Sequence, residues 1–210
     1  MNNRYQLVLF DVDSTLIEQE VIDLLALKTS HGAKVADITR RAMAGEIDFD
    51  NALRERVSLL RGLPENIIHK VLAEITFSPG AEVLMQELRL RNIRIGAVSG
   101  GFLNILKPLF AQHNLDFLLA NNLGTSNGSL TGEVIGPIIN REMKKHALYE
   151  FAAKFKIDIA ATVAVGDGAN DLEMIKAAGL GVSYRGKSIL NEAADLVLTE
   201  PRLDDLLKYL

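Results

Sequence analysis

Cysteine is absent from this 210-residue chain, which excludes disulfides, thiolate catalysis and cysteine-ligated zinc. Positive charge is in deficit: 23 Lys and Arg stand against 27 Asp and Glu, a formal net charge of −4. A broadly basic surface for nucleic acid is thereby excluded. No apolar run is long enough to span a bilayer. The opening Met1-Asn2-Asn3-Arg4-Tyr5 lacks the basic-then-apolar pattern of a secretory signal, so a cytoplasmic location is expected. No internal repeat or low-complexity segment is found, and no Gly-x-x-x-x-Gly-Lys pattern of a nucleotide-binding loop. The 4 histidines, His31, His69, His113 and His146, lack ligand spacing and read as surface residues.

What is present is an ordinary globular composition, 48% hydrophobic and 24% charged, enough for one sizeable core plus an insertion. Leu7 to Phe10 is an unbroken apolar run that reads as a strand buried on both faces. Asp11 and Asp13 follow it, then Ser14 and Thr15. Two acids ending a core strand are poor packing, but the carboxyl end of a strand in an open parallel sheet is where ligands bind. Taken alone, the stretch is equally readable as a turn whose hydroxyls cap the next helix.

From Ile17 to Ile75 only helical patterns appear: Ile17–Leu27, Ala33–Ala44, Asp48–Leu60 with Asp48 as N-cap, and Pro64–Ile75 with Pro64 in its first turn. One helix suffices for a strand-to-strand crossover, so residues 17–75 are expected to form an inserted helical cap. Residues 1–16 and 76–210 then form the core. Beyond Ser78-Pro79-Gly80, strands and helices alternate: a strand Ile93–Val98 ending in Ser99-Gly100-Gly101, a short strand Asp116–Ala120, and a hairpin turn at Ser126-Asn127-Gly128-Ser129. Helix Arg141–Phe155 follows, then strand Thr162–Val165 running into Gly166-Asp167-Gly168-Ala169-Asn170-Asp171, helix Leu172–Ala178, Gly181–Ser183, Leu196–Leu198, and a last helix Arg202–Tyr209. The expected fold is a three-layer α/β sandwich on a mostly parallel sheet.

Asp11 with Asp13, Ser99 with Gly100, and Asp167 with Asn170 and Asp171 would meet at one sheet edge. Crowded acids need a cation, and hard oxygen donors without Cys or His suit Mg²⁺. Ser99 and Gly100 at a strand end suit a phosphate oxyanion. Lys144, in the first turn of its helix, stands where the dipole disfavours a cation and so asks for an anionic partner. Lys145 is its competitor for that role. Together these groups describe phosphoryl transfer, and a phosphatase rather than a kinase.

In order and spacing, Asp11-Val12-Asp13-Ser14-Thr15, Ser99-Gly100-Gly101, Lys144 and Gly166-Asp167-Gly168-Ala169-Asn170-Asp171 resemble the motifs of the haloacid dehalogenase superfamily. Glu20, Arg56-Val57-Ser58-Leu59-Leu60 and Val98-Ser99-Gly100-Gly101-Phe102 are similar to its phosphoserine-hydrolysing members. The resemblance implies a Rossmann-like core and hydrolysis of O-phosphoserine, the last step of serine biosynthesis. It implies Asp11 as nucleophile and Asp13 as general acid and base. Asp11, the Asp13 carbonyl and Asp167 would hold Mg²⁺, supported by Asp171. Ser99, Gly100, Lys144 and Asn170 would surround phosphate. Glu20 would take the substrate ammonium and Arg56 its carboxylate, between Met43 and Phe49 as apolar walls.

Without the resemblance, Glu20 reads as a solvated helix residue and Arg56 as half of a surface ion pair. Met43 and Phe49 read as core. Rival functions are a relative acting on another small phosphomonoester, a phosphotransferase, a receiver-type phospho-accepting domain, and a non-catalytic binding module. The helical insertion and Asp13 argue against a receiver domain.

Overall fold

The computed structural model describes residues 4–210; Met1, Asn2 and Asn3, part of the N-terminal stretch read for a leader, lie outside the described residues. β1 (Leu7–Phe10) is buried along its whole length. Leu7 and Leu9 join one apolar cluster while Val8 and Phe10 join another, as the two-residue period of a strand requires. That is the signature of a central strand covered on both faces.

After β1 come α1 (Val21–Ala26), α2 (Gly32–Met43), α3 (Phe49–Ser58) and α4 (Ile67–Leu72), with no named strand among them. Then follow α5 (Ala81–Leu90), β2 (Arg94–Phe102), α6 (Leu103–Leu109), β3 (Phe117–Ser126) and β4 (Ser129–Ile135). The chain ends with α7 (Arg141–Phe155), β5 (Thr162–Gly166), α8 (Leu172–Ala177), β6 (Leu180–Tyr184), α9 (Ser188–Asn191), β7 (Leu196–Leu198) and a 3₁₀ turn at Leu203–Lys208. The strands form one seven-stranded sheet in the order β4-β3-β2-β1-β5-β6-β7, parallel except for the β3–β4 hairpin. Side chains of α5, α6 and the C-terminal turn cover one face; those of α7, α8 and α9 cover the other. This is the three-layer α/β fold the alternation implies. The order reverses at β1, whose neighbours are β2 and β5, and that switch point opens a crevice at their carboxyl ends.

The four helices α1 to α4 leave and rejoin the sheet side by side. Ile17 pairs antiparallel with Phe77, and the Glu18 N–H donates to the Thr76 carbonyl at 3.0 Å. The apolar cluster on that sheet face continues into α1, α3 and α4 through Leu25, Val57 and Val71.

Several local expectations change. Ile17 to Glu20 are not helical, because Ile17 is committed to the pairing with Phe77. Pro64 lies outside α4 and pairs with Ser129. Its neighbours Leu63 and Glu65 bond the hairpin, so its missing N–H costs nothing at this edge. β2 runs on through Ser99, Gly100 and Gly101 with an irregularity against β3, and β3 reaches Ser126 because the hairpin extends it. Asn127 and Gly128 both take positive φ, +49° and +74°, the conformation of a two-residue type I′ turn. The last element is a 3₁₀ turn, not an α-helix. His113 is half-buried against Phe77 and Phe110 and hydrogen-bonds Glu82, so it is not the free surface residue its spacing suggested. Among the described residues, no helix is long and apolar enough to cross a membrane.

Candidate active site

Asp11 follows β1 and Asp167 follows β5, so the two acids stand at the switch-point crevice. Asp11 Oδ1 accepts the Val12 N–H at 2.7 Å and an ion pair from Lys144 Nζ at 2.8 Å. Lys144 is fully buried in the first turn of α7, whose N-cap Asn140 accepts from the Met143 N–H. Its ammonium also meets Asp171 Oδ1 at 2.7 Å. Burial alone would lower its pKa, but Asp11 and Asp171 outweigh burial and push it above the ordinary lysine value. Lys145 instead reaches toward Glu173, at 3.8 Å.

Asp13 is turned to other partners. Its Oδ1 accepts the Val21 N–H at the start of α1, and its Oδ2 accepts the Ser99 hydroxyl at 2.7 Å. Ser99 Oγ in turn accepts the Gly101 N–H at 2.7 Å. A Cβ on residue 101 would stand 2.5 Å from the Asp13 carboxyl, so this close approach needs glycine. Burial raises the Asp13 pKa, and the bonds from Val21 and Ser99 only partly oppose it.

Asp11, Asp167 and Asp171 can each bring one carboxylate oxygen to within 4.8 Å of the others, and all three are buried. Burial, then the charge of Asp171, pushes Asp167 up to about pH 7. Burial, then Asp171, also raises Asp11 well above its ordinary value despite Lys144. Asp167 Oδ1 is buried without a hydrogen-bond partner. Acids crowded this way, one with an orphaned oxygen, suit a hard divalent cation. Asp171 is the poorest ligand of the three: Lys144 takes Oδ1, and the N–H groups of Asp167 and Gly168 take Oδ2 at 3.1 Å each. Its engaged carboxylate fits support rather than direct ligation. Asp13 could contribute only its backbone carbonyl, its carboxyl being occupied.

A cavity of about 20 Å³ lies between the sheet edge and the inserted helices, lined on the sheet side by Asp11, Asp13, Gly100, Gly101 and Asn170. Glu20, Met43, Phe49 and Arg56 close it from the other side. Asn170 Oδ1 is buried and unpartnered. Ser99, Lys144 and Asp167 do not line it; Ser99 and Lys144 connect to it through Asp13 and Asp11. Ile22 and Leu53 also line the cavity and were not singled out from the sequence. Leu53 follows Phe49 by four residues and precedes Arg56 by three, so helical spacing could have found it. Ile22 offers no comparable signal.

Glu20 is the N-cap residue of α1, and its Oε1 accepts the Ser14 hydroxyl at 2.8 Å. Burial, followed by Asp13 and Asp167, pushes its carboxyl up to about pH 8. Arg56 is not a surface residue, and among the described residues it forms no ion pair. It is 2% exposed, with Nε on the Ala52 carbonyl at 3.2 Å and its guanidinium 6.0 Å from the Phe49 ring centroid. Burial lowers its pKa, against the pull of Glu20 and Asp23. One end of the cavity therefore offers a carboxylate beside a buried ammonium; the other offers one acid and one guanidinium.

A family model described as haloacid dehalogenase-like hydrolase matches residues 5–179. The chain is 45% identical to a phosphoserine phosphatase of Streptococcus thermophilus over 204 residues, 97% of this chain and 95% of that one. It spans about half the length of some other curated relatives, whose chains are longer. Among solved structures, it is similar to a substrate-bound phosphoserine phosphatase complex, at TM-score 0.96 and 39% identity over 100% of both chains. It is also similar to a phospho-aspartyl intermediate analogue of phosphoserine phosphatase, at TM-score 0.95 and 39% identity over 99% of this chain and 100% of that one.

Proposed function

This chain belongs to the haloacid dehalogenase-like hydrolases and, within them, to the phosphoserine phosphatase family, and from that premise we propose that it hydrolyses O-phosphoserine to serine and phosphate through an aspartyl-phosphate on Asp11, the last step of serine biosynthesis. The observation that carries the reading is the two-ended cavity. A monoester phosphate suits the end at Asp11, while Glu20 and Arg56 offer one charge for each group of an amino acid.

The Asp11 carboxylate attacks phosphorus and the bond to the serine oxygen breaks, with Asp13 giving that oxygen its proton. A water then attacks the acyl phosphate and yields a proton to Asp13; phosphate leaves and Asp11 is restored. Burial raises Asp13 above its ordinary value, which suits a group that holds and returns a proton. Lys144 holds Asp11 in place by the ion pair at 2.8 Å and opposes the burial that disfavours its carboxylate. Gly100 and Asn170 border the space a phosphate would fill, and Ser99 reaches it by releasing Asp13. Asp11, Asp167 and the Asp13 carbonyl would hold Mg²⁺, backed by Asp171; when bound, it neutralises these acids and the phosphate oxygens.

A 20 Å³ cavity has room for about one water, so an amino-acid phosphate enters only if the walls part. Residues 17–75, which carry Glu20, Met43, Phe49 and Arg56, are the part placed to move as a lid over the core. Phosphate release from a panel of small phosphomonoesters, with Mg²⁺ and with EDTA, tests the reading. O-phosphoserine should lead the panel and EDTA should abolish its turnover. Borohydride reduction during turnover should mark Asp11, and Asp11→Asn should remove both label and activity. Label on another residue, or full activity in EDTA, would overturn the site.

A further inference from the structure

Three of the inserted helices meet at a single hydroxyl. Thr39, on α2, is 3% exposed. Its Oγ1 lies 3.0 Å from Nη1 of Arg56 on α3 and 2.7 Å from Oδ1 of Asp23 on α1. The Val35 carbonyl stands 3.0 Å away on the same helix. A hydroxyl has one proton and two lone pairs, and a guanidinium only donates. Arg56 therefore takes a lone pair of Thr39, and the Thr39 proton is shared between the Asp23 carboxylate and the Val35 carbonyl. Nε of Arg56 is held by the Ala52 carbonyl, while Nη2 has no partner among the described residues although Arg56 lines the cavity. Among the described residues no carboxylate forms an ion pair with it.

We propose that Thr39, backed by Asp23, is the positioning residue that aims the Arg56 fork at the substrate carboxylate. A carboxylate placed directly on Arg56 would hold it equally well but would satisfy its charge and compete with the substrate. A hydroxyl fixes the geometry and leaves the charge available. Asp23 polarises that hydroxyl from α1, the helix that Glu20 begins, so the two ends of the substrate-reading pair are tied together. The inference rests on the phosphoserine reading above.

Initial rates on O-phosphoserine and phosphoethanolamine, which lacks the carboxylate, test it in wild type, Thr39→Val, Thr39→Ser and Asp23→Ala. Removing a hydrogen bond to a charged group predicts a KM for O-phosphoserine raised on the order of ten-fold in Thr39→Val. The same variant should keep kcat within about two-fold, because Arg56 binds ground state and transition state alike. Phosphoethanolamine kinetics should move by less than about two-fold, Thr39→Ser should restore the wild-type KM, and Asp23→Ala should shift KM in the same direction by a smaller factor. If Thr39→Val does not fold, Asp23→Ala decides alone, since Asp23 is only half-buried. Equal losses on both substrates overturn the role of Thr39 and leave the phosphoserine reading standing. A wild type that does not distinguish the two substrates overturns that reading and the role of Thr39 with it.

Discussion

Burial first, and the charges of Asp13 and Asp167 next, push the Glu20 carboxyl up to about 8. An ammonium in the cavity would reverse that, so substrate binding draws on the ionised form. The fraction ionised rises as pH climbs from 6 to 8, and the KM for O-phosphoserine should fall several-fold with it. Phosphoglycolate has the same kind of phosphate but no ammonium, so the ratio of the two KM values isolates Glu20. That ratio should slope with pH in wild type and lie flat in Glu20→Gln; a flat ratio in wild type would remove Glu20 from ammonium recognition. At this scale the acids proposed to react and to hold the metal were the most legible part of the chain. Asp11, Asp13 and Asp167 each end an apolar run, where a charge has no structural excuse. Lys144 was marked by standing at the wrong end of a helix dipole, and its two carboxylate partners explain it. Thr39 and Asp23 carried no such mark, since the bonds from Arg56 to Thr39 and from Thr39 to Asp23 span 17 and 16 positions across three helices.

Among the contacts that tie α1 to α4 to the rest of the chain, one polar pair joins the start of α3 to the start of α7. The side-chain amide of Asn140, N-cap of α7, donates to both carboxylate oxygens of Asp50 in the first turn of α3, at 3.1 and 3.2 Å. Asn140→Asp keeps the N-cap acceptor but sets two like charges together, at a cost of about 1 kcal/mol for half-exposed groups. Hydrogen exchange in residues 49–58 should quicken and the KM for O-phosphoserine rise several-fold, while exchange within α7 stays as it was. Unchanged exchange in α3 would show that this contact does not hold the proposed lid. Helices with a cap and a stripe, such as Asp48 with Phe49–Ser58 and all of Arg141–Phe155, were legible in the sequence because their signals are local. Pro64 and Ile17 were not, because pairing partners 65 and 60 residues away decide them.

Across the whole molecule, several acids are buried with raised pKa values, so the fold and the site pull against each other. Burial, then Asp171, pushes the Asp167 carboxyl from its ordinary 3.8 up to about 7 in the folded chain, and raises Asp11 as well. Between those values the folded chain keeps protons that the unfolded chain has released, so stability must fall as pH rises through that window. Calorimetry in EDTA should therefore show a lower Tm at pH 8 than at pH 5. Mg²⁺ should raise Tm more at pH 8, where the acids it would neutralise are ionised. A Tm in EDTA that climbs from pH 5 to pH 8 would mean that Lys144 already balances the cluster. The central claim is narrower: one cavity both transfers the phosphoryl group and reads the amino-acid end of its substrate. The most direct test is kcat/KM for O-phosphoserine and phosphoethanolamine in wild type and Arg56→Ala. Among the described residues Arg56 is the only guanidinium lining the cavity, and its loss should cost O-phosphoserine about 2–5 kcal/mol, a factor of roughly 30 or more, and leave phosphoethanolamine nearly untouched. Equal loss on the two substrates would make Arg56 a structural residue and contradict the account.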